Sequence, residues 1–430
     1  VNTVNTVNTV NTVNTVNTVQ SESTRIYNLL SGKHITFIDL FCGIGGFHQA
    51  LHTLGAKCVF ACDKDKYCRE TYTNNYTIDV HPDIKKVKSE DIPNYDILCA
   101  GFPCQPFSNA GKKSTFKHHK GLLFDEIMRL IENHKPKIMF LENVKHILKV
   151  GNGDVITYIK KRLNDNGYTV QMIQMSPHEY GIPQQRERVY FVCIHKDYYN
   201  GNDIELIIPK TDSIDLTKFL DKKEDVDPKY FASGDVLTAL NAWEEMIQTF
   251  EVGEKITPTI MVSEFNKPYT DDEFKNLATW RQDYITKNKP LYKKYKTDWD
   301  TWCIKHNTIL KRREIYAKLE WQVGKIKEND SIFNYFIQLR QSGIRVKKNK
   351  YFPTLVAMTQ TPLYGKDLRH ITPRECARLQ SFPDTFILHE NDKQSYKQFG
   401  NSVNVHNVLN VISSTLDVYG DIFNNDFNVL

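Results

Sequence analysis

The sequence predicts an α/β protein built on a doubly wound, mostly parallel sheet, with a smaller domain inserted late in the chain. Three observations predict it. The apolar run Ile35-Thr-Phe-Ile-Asp-Leu-Phe41 passes through the glycine turn Cys42-Gly-Ile-Gly-Gly-Phe47 into an amphipathic helix through Leu51 and Leu54, the way such sheets begin. Three more apolar runs, Lys57–Cys62, Tyr95–Ala100 and Lys137–Leu141, each lead at their carboxyl ends into residues able to do chemistry. Composition then shifts after about residue 200, and all five tryptophans (Trp243, Trp280, Trp299, Trp302 and Trp321) fall beyond that point.

Length and composition bound the answer. A chain of 430 residues with 40% hydrophobic and 25% charged residues can bury a sizeable core, as one large domain with an insertion or as two domains. The net charge of +5 permits a polyanionic partner without requiring one. Nine cysteines, five of them from Cys42 to Cys99, with no secretory signal before them, fit reduced thiols in a cytoplasm rather than a disulfide scaffold. Cys58, Cys62 and Cys68 match no zinc spacing and no histidine pair follows, so no metal is expected. No apolar run reaches bilayer length, which excludes a membrane span. Residues 1–19 repeat Val-Asn-Thr with a period of three, which suits neither strand nor helix, so residues 1–33 are expected to form a low-complexity, disordered tail.

Along the first strand and turn, Gly43, Gly45 and Gly46 let the backbone approach a ligand, and the helix that follows offers free N–H groups. The pattern is not Gly-x-Gly-x-x-Gly, which disfavours a dinucleotide; taken singly, such a turn can also be only a tight connection. The second strand ends at Asp63, placed to accept hydrogen bonds from ribose hydroxyls, although an Asp beside Lys64 and Lys66 can equally be a solvated surface residue. Asp83 follows His81-Pro82 ahead of a basic linker.

The run Tyr95–Ala100 feeds Gly101-Phe-Pro-Cys-Gln-Pro-Phe-Ser108, where two prolines stiffen a loop that presents the thiol of Cys104 at the sheet's mouth. A glycine-bounded basic stretch, Ser108–Gly121, is suited to closing over an anionic substrate. A helix is expected over Leu122–Asn133, then the strand Lys137–Leu141 running into Glu142-Asn143-Val144. Farther on, Arg186 and Arg188 are two apart in a stretch that reads as a strand entering the core, so alternation puts both on one face, suited to clamping a carboxylate or a base carbonyl. A surface ion pair is the commoner fate of such arginines.

Together these residues resemble the bacterial DNA (cytosine-5)-methyltransferase family of restriction-modification systems. The resemblance rests on Asp39-Leu-Phe-Cys-Gly-Ile-Gly-Gly46, Gly101-Phe-Pro-Cys-Gln105, Glu142-Asn-Val144 and Gln185-Arg-Glu-Arg188. It continues in Thr372-Pro-Arg-Glu-Cys-Ala-Arg378 and Phe399-Gly-Asn-Ser-Val403, in the family's order. It covers residues 35 to about 195 and 350 to 415. It implies a Rossmann-like S-adenosyl-methionine-dependent methyltransferase sheet with a smaller target-recognition domain, the two facing each other across a cleft for duplex DNA. Cys104 matches the nucleophile that attacks carbon 6 of a flipped-out cytosine, and Glu142 the residue that hydrogen-bonds or protonates ring nitrogen 3. Arg188, with Arg186, matches the residues that hold the base carbonyl and the carboxylate. For the methyl donor, S-adenosyl-methionine, Phe41 matches the aromatic near the adenine, and Asp63 the ribose-binding acid, where the family more often has Glu. Asp83 matches the acid at the adenine amino group. Gly43, Gly45, Gly46, Pro103, Leu123, Asn401 and Val403 complete the carry-over. Lys64 departs from the aromatic usual at its position, which puts one face of the adenine pocket in doubt.

The expected organisation is a tail (1–33), a catalytic and cofactor-binding domain (34–200), a target-recognition insertion (201–350) and a return segment (351–430) whose last helix packs beside the first strand. Within the insertion, Lys287-Asn-Lys-Pro-Leu-Tyr-Lys-Lys-Tyr-Lys296 interleaves lysines with aromatics as a phosphate-tracking surface does, although amphipathic helices with a solvated lysine face read the same way. Arg340, Arg345 and Lys347–Lys350 are the better candidates for DNA contact. The implied partners are double-stranded DNA and, functionally, a cognate restriction endonuclease, with the enzyme a cytoplasmic monomer. An RNA cytosine-5 methyltransferase and an inactive DNA-binding homologue are the alternatives. A long insertion argues against the first, and the intact Cys104, Glu142, Arg186 and Arg188 against the second.

Overall fold

In the computed structural model the residues described are 33–103, 123–206, 214–256, 259–357 and 360–424. The expected N-terminal tail to residue 32, Cys104 and the loop Ser108–Gly121 lie outside them. The chain divides into two compact units, one running to Ile182 and comprising also Arg186–Ser213 and the chain from Ala377 on, the other Pro183–Gln185 and Ile214–Cys376.

The larger unit is a seven-stranded sheet: β1 (Thr36–Leu40), β2 (Lys57–Cys62), β3 (Val80–His81), β4 (Ile97–Gly101), β5 (Ile138–Val144), β6 (Tyr168–Met175) and β7 (Arg188–His195). Their order is β3-β2-β1-β4-β5-β7-β6. β1 is parallel to both β2 and β4, and β5 is parallel to β4, whereas β7 runs antiparallel to β5 and β6. The chain therefore leaves β1 in one direction across the sheet and returns through β4 on its other side. The carboxyl ends of β1 and β4 flank that switch point, where open α/β sheets bind ligands.

Strand alternation sorts the core. Ile38 and Leu40 of β1 join a cluster with Leu98, Ala100, Met139 and Leu141 and with Ile127, Met128 and Ile131 of the helix Leu123–His134. Phe37 points the other way, meeting His48 edge-on at 5.3 Å. The first helix, α1 (Gly46–Thr53), starts from Gly45 at φ 85°, and the second, α2 (Lys66–Tyr76), is capped by the Asp65 carboxylate, which accepts the N–H groups of Tyr67 and Cys68. The helix Val405–Tyr419 packs against α1.

The smaller unit carries a six-stranded sheet in the order β13-β12-β10-β11-β9-β8: β8 (Thr259–Met261), β9 (Lys318–Gln322), β10 (Phe336–Arg340), β11 (Gly343–Lys347), β12 (Leu363–Tyr364) and β13 (Arg369–His370). Residues 351–376 thus stay with this unit rather than returning at 351 as expected, because β12 hydrogen-bonds to the free edge of β10 and β13 follows it. Trp243, Trp299, Trp302 and Trp321 are buried in its core with Ile337, Ile344 and Val346. The indole N–H of Trp243 donates to Tyr316 O at 2.8 Å and that of Trp302 to Ala242 O at 2.6 Å. The lysine-rich stretch 287–296 is correspondingly only partly a free basic surface, with Lys289 and Lys293 exposed. Tyr292 and Tyr295 belong to the core, Lys287 pairs with Asp283, Lys294 with Glu251 and Glu254, and Lys296 with Asp300. Of the described helices, none is long and apolar enough to cross a membrane.

Candidate active site

The turn after β1 is built from left-handed backbone. Phe41, Gly43 and Gly45 have φ of 53°, 54° and 85°. Glycine is required at two points for different reasons. A Cβ on Gly45 would fall 2.3 Å from Tyr76 Cε2, whereas Gly43 faces open space and serves by its positive φ. The Gly43 N–H donates to Asp63 Oδ2 at 2.8 Å and the Asp65 N–H to Oδ1 at 2.7 Å, so the Asp63 carboxylate at the end of β2 ties this turn to its own strand. Burial pushes that carboxyl above the usual range, while the two N–H groups hold it down. Asp83, half-buried just after β3, caps a single 3-10 turn by accepting the Lys85 N–H at 3.1 Å. Both acids stand at the carboxyl edge of the sheet, Asp63 beside the glycine turn and Asp83 beyond it at the end of β3.

The second half of the site lies across the switch point. Glu142, paired in register with Gly101, is buried at the end of β5. Its Oε1 is 2.9 Å from the Arg188 Nε at the start of β7, and a Cβ on Gly101 would lie 3.8 Å from its Oε2 and 3.9 Å from Val403 Cγ1. Burial raises the Glu142 carboxyl above the ordinary range, against the lowering pull first of Arg188 and then of Arg186. A carboxyl poised this way can hold a proton or give one up next to a bound base.

Arg186 behaves differently from the expectation. β7 begins only at Arg188, so the two arginines do not share a strand face. The Arg186 N–H donates to Ser176 Oγ at 2.8 Å, which takes it out of any ladder, and its buried Nη2 donates to Gly400 O at 2.8 Å and Ser402 O at 2.9 Å. Arg186 fastens the segment carrying Val403. That segment in turn closes on the cofactor turn, since a Cβ on Gly46 would lie 2.4 Å from Val403 Cγ2.

Other expected residues are placed less centrally. Pro103 and Asn401 are exposed, Asn401 as the last residue of the helix Asp392–Asn401, and Leu123 packs partly buried against the main core, as does Phe41. Sequence reasoning placed the Asn143 amide beside Glu142 at the active edge of the sheet without giving it a role, and missed Gln380. The Asn143 amide donates to Phe102 O at 2.8 Å, anchoring the root of the Pro-Cys loop to the strand that carries Glu142. Gln380 Nε2 donates to Phe399 O at 2.7 Å, a second tether on the Val403 segment. The adjacency of Asn143 to Glu142 was the available signal for the first; nothing in the spacing marks the second. Among the described residues, no group of three or more His, Cys, Asp or Glu side chains could hold a metal ion.

Comparison with known proteins identifies the family. The C-5 cytosine-specific DNA methylase family matches residues 35–416. The type II methyltransferase M.HhaI of Haemophilus parahaemolyticus is 31% identical over 379 residues, 88% of this chain and 93% of that protein. The type II methyltransferase M.HpaII of Haemophilus parainfluenzae is 30% identical over 392 residues, 90% of this chain and 91% of that one. Among solved structures, the S. pombe Dnmt2 methyltransferase superposes with a TM-score of 0.51 at 18% identity, covering 90% of this chain and 99% of that one, a likeness of fold.

Proposed function

The chain belongs to the C-5 cytosine-specific DNA methylase family and is a cytosine-5 DNA methyltransferase, and from that premise we propose that it methylates one cytosine within a short duplex sequence through a covalent Cys104 adduct. The observation that carries the proposal is the buried Glu142–Arg188 pair at 2.9 Å, at the carboxyl edge of the sheet and beside the strand that leads into the Pro-Cys loop. Carbon 5 of cytosine is a weak nucleophile. Addition of the Cys104 thiolate to carbon 6 turns carbon 5 enamine-like, while Glu142 hydrogen-bonds or protonates ring nitrogen 3 and disperses the charge. Arg188 fixes the Glu142 carboxylate and offers its remaining N–H groups to the base carbonyl. After carbon 5 has gained its methyl group, loss of the carbon 5 proton to a base expels the thiolate and restores the ring. The reacting carbons are stacked in a duplex, so the cytosine turns out of the helix to reach this site.

The residues present fit S-adenosyl-methionine. Gly43 leaves open space over a left-handed turn, and Asp63 keeps lone pairs beyond its two backbone bonds for ribose hydroxyls. When bound, that group supplies an electrophilic methyl. Gly43, Gly45 and Gly46 would cradle it, Asp63 would take the ribose, and Asp83, Phe41 and Val403 would bound its adenine and methionine ends.

The smaller unit is proposed to read the sequence around the target, and the modification to protect DNA from a cognate endonuclease, as the type II names of the relatives suggest. The test incubates the protein with tritiated S-adenosyl-methionine and unmethylated genomic DNA, with Cys104→Ser as control, followed by bisulfite sequencing. Label at carbon 5 in one repeated context supports the proposal. No label on DNA with the cofactor bound overturns it, and a parallel incubation with RNA then separates an RNA enzyme, which labels it, from an inactive homologue, which does not.

A further inference from the structure

The sheet of the smaller unit has two unlike faces. Ile337, Ile344, Val346, Leu319 and Trp321 turn to the tryptophan core, so the alternate residues of β9, β10 and β11 form the opposite face. There Gln338, Arg345 and Glu320 lie directly across from one another on adjacent strands. Glu320 is buried, its side chain 8% exposed, and its Oε2 holds Arg345 Nε at 2.6 Å with Arg340 Nη1 at 4.0 Å. Lys347, two residues beyond Arg345 on the same face, has no carboxylate within ion-pair distance among the described residues, and burial with the nearby Arg345 pushes its amine down. Three cations thus lie on one half-sheltered face, two of them on a single carboxylate and the third on none among the described residues. That excess is unfavourable for the protein alone and complementary to a polyanion.

The geometry of the pair is selective. Glu320 occupies the Nε edge of Arg345 and leaves the two terminal nitrogens as a fork of donors, with no hydrogen bond to another described residue. A guanidinium fixed along one edge with its fork free matches the N7 and O6 acceptors of guanine. Gln338, on the other side of Arg345, is itself buried. We propose that Arg345 is a guanine-reading side chain of this enzyme, that Glu320 is the positioning residue that aims it, and that Lys347 contacts the adjoining phosphate. The proposal rests on the duplex-methylation function above and names the surface that gives it sequence preference.

The test uses the full-length enzyme and its Arg345→Ala, Arg345→Lys, Glu320→Gln and Lys347→Ala variants. For each, the methylated context on genomic DNA is read by bisulfite sequencing, alongside melting temperature and S-adenosyl-methionine affinity. Arg345→Ala is expected to relax one guanine position of the context, losing about 5- to 150-fold preference there, with cofactor affinity unchanged. Arg345→Lys keeps the charge but not the fork, and is expected to relax the same position even where the alanine variant folds poorly. Glu320→Gln relaxes that position partially, a change that a purely structural role would not produce. Lys347→Ala leaves the context intact and lowers the slope of log affinity against log salt by about 0.9. A wild-type enzyme that methylates no DNA would defeat the function proposed above. A wild-type enzyme with a defined context that Arg345→Ala or Arg345→Lys reproduces at equal preference would defeat this inference alone.

Discussion

Arg188 Nε and Glu142 Oε1 meet at 2.9 Å across the antiparallel β5–β7 pair, where Arg188 sits opposite Val144 and so diagonal to Glu142. Both side chains are largely shielded from water, and burial opposes ionisation of the carboxyl. The pair is a balance: burial lifts the Glu142 carboxyl and Arg188 pulls it back. Removing Arg188 tips that balance in a known direction.

Arg188→Met is therefore expected to raise the Glu142 carboxyl further above the ordinary range. A carboxyl whose folded value exceeds its unfolded one contributes stability at low pH that is lost as pH rises through the folded value. The melting temperature of Arg188→Met should fall increasingly below wild type as pH climbs above the ordinary glutamate range, and match it more closely in acid. Glu142→Gln, which cannot pass a proton to ring nitrogen 3, is expected to lower kcat by about 10²- to 10⁴-fold. Melting curves across pH and single-turnover methyl transfer check the two outcomes.

Gly46 and Val403 give a second, purely steric prediction. An added Cβ on Gly46 would lie 2.4 Å from Val403 Cγ2 and 3.2 Å from Val403 O. Gly46→Ala should cost about 1–3 kcal/mol of stability and weaken S-adenosyl-methionine binding, because the Val403 segment must move off the turn. Val403→Ala removes the nearer obstacle but not the carbonyl. The double variant should recover part of the loss, and a coupling energy near zero in the cycle would show that the two do not press on each other.

Much of this was legible in the sequence because it is local. The run Ile35–Phe41, the glycine turn after it and the strand into Glu142 announce themselves by hydrophobic pattern and by residues whose backbone demands are read in place. What escaped is decided at long range. Arg186 looks like a same-strand partner of Arg188 by spacing, yet it lies ahead of β7 and its Nη2 donates to Gly400 O and Ser402 O, more than two hundred residues away. The aromatic-lysine stretch 287–296 has the composition of a nucleic-acid surface, but its tyrosines fill a core and its Lys294 finds carboxylates on Glu251 and Glu254 that no local pattern reveals. The return at 351 was misplaced for the same reason: a two-residue strand such as Leu363–Tyr364 carries almost no periodic signal.

The Thr372-Pro-Arg-Glu375 stretch, recognisable in sequence, turns out to hold the smaller unit together. Arg369 and Glu375, both fully buried, form two parallel hydrogen bonds at 2.9 and 2.8 Å. Glu375 also accepts the N–H groups of Thr372 and Asp221, each at 2.7 Å. Glu375→Ala would leave two backbone donors unanswered and the buried Arg369 guanidinium with Asp367, His370 O and Asp221 O but without its two-point carboxylate, at a cost of about 3–5 kcal/mol. Unfolding of the Glu375→Ala variant in urea should show the loss in a transition reporting tryptophan burial, because four tryptophans sit in that unit's core.

His48 supplies a prediction for acid. Its ring is buried between α1 and α2, stacked on Tyr76 at 3.8 Å, edge-on to Phe37 and 2.7 Å from the Tyr72 hydroxyl. Burial, with the nearby His52, pushes it down to about 3. The unfolded chain takes up this proton near the ordinary histidine value of about 6.5. Stability owed to neutral His48 is thus full above that value and is lost as pH falls toward about 3. His406, buried and pushed down to about 4, acts with the same sign. Asp39 on β1, fully buried and raised by burial and by Asp63, has the opposite sign, its contribution lost as pH rises. A neutral replacement separates them: His48→Gln should lose less stability than wild type between about pH 7 and pH 5, by on the order of 2 kcal/mol. Equal acid sensitivity in His48→Gln and wild type would mean that the imidazole keeps an ordinary pKa in the fold, and that the acid limit of this unit lies in His406 or elsewhere.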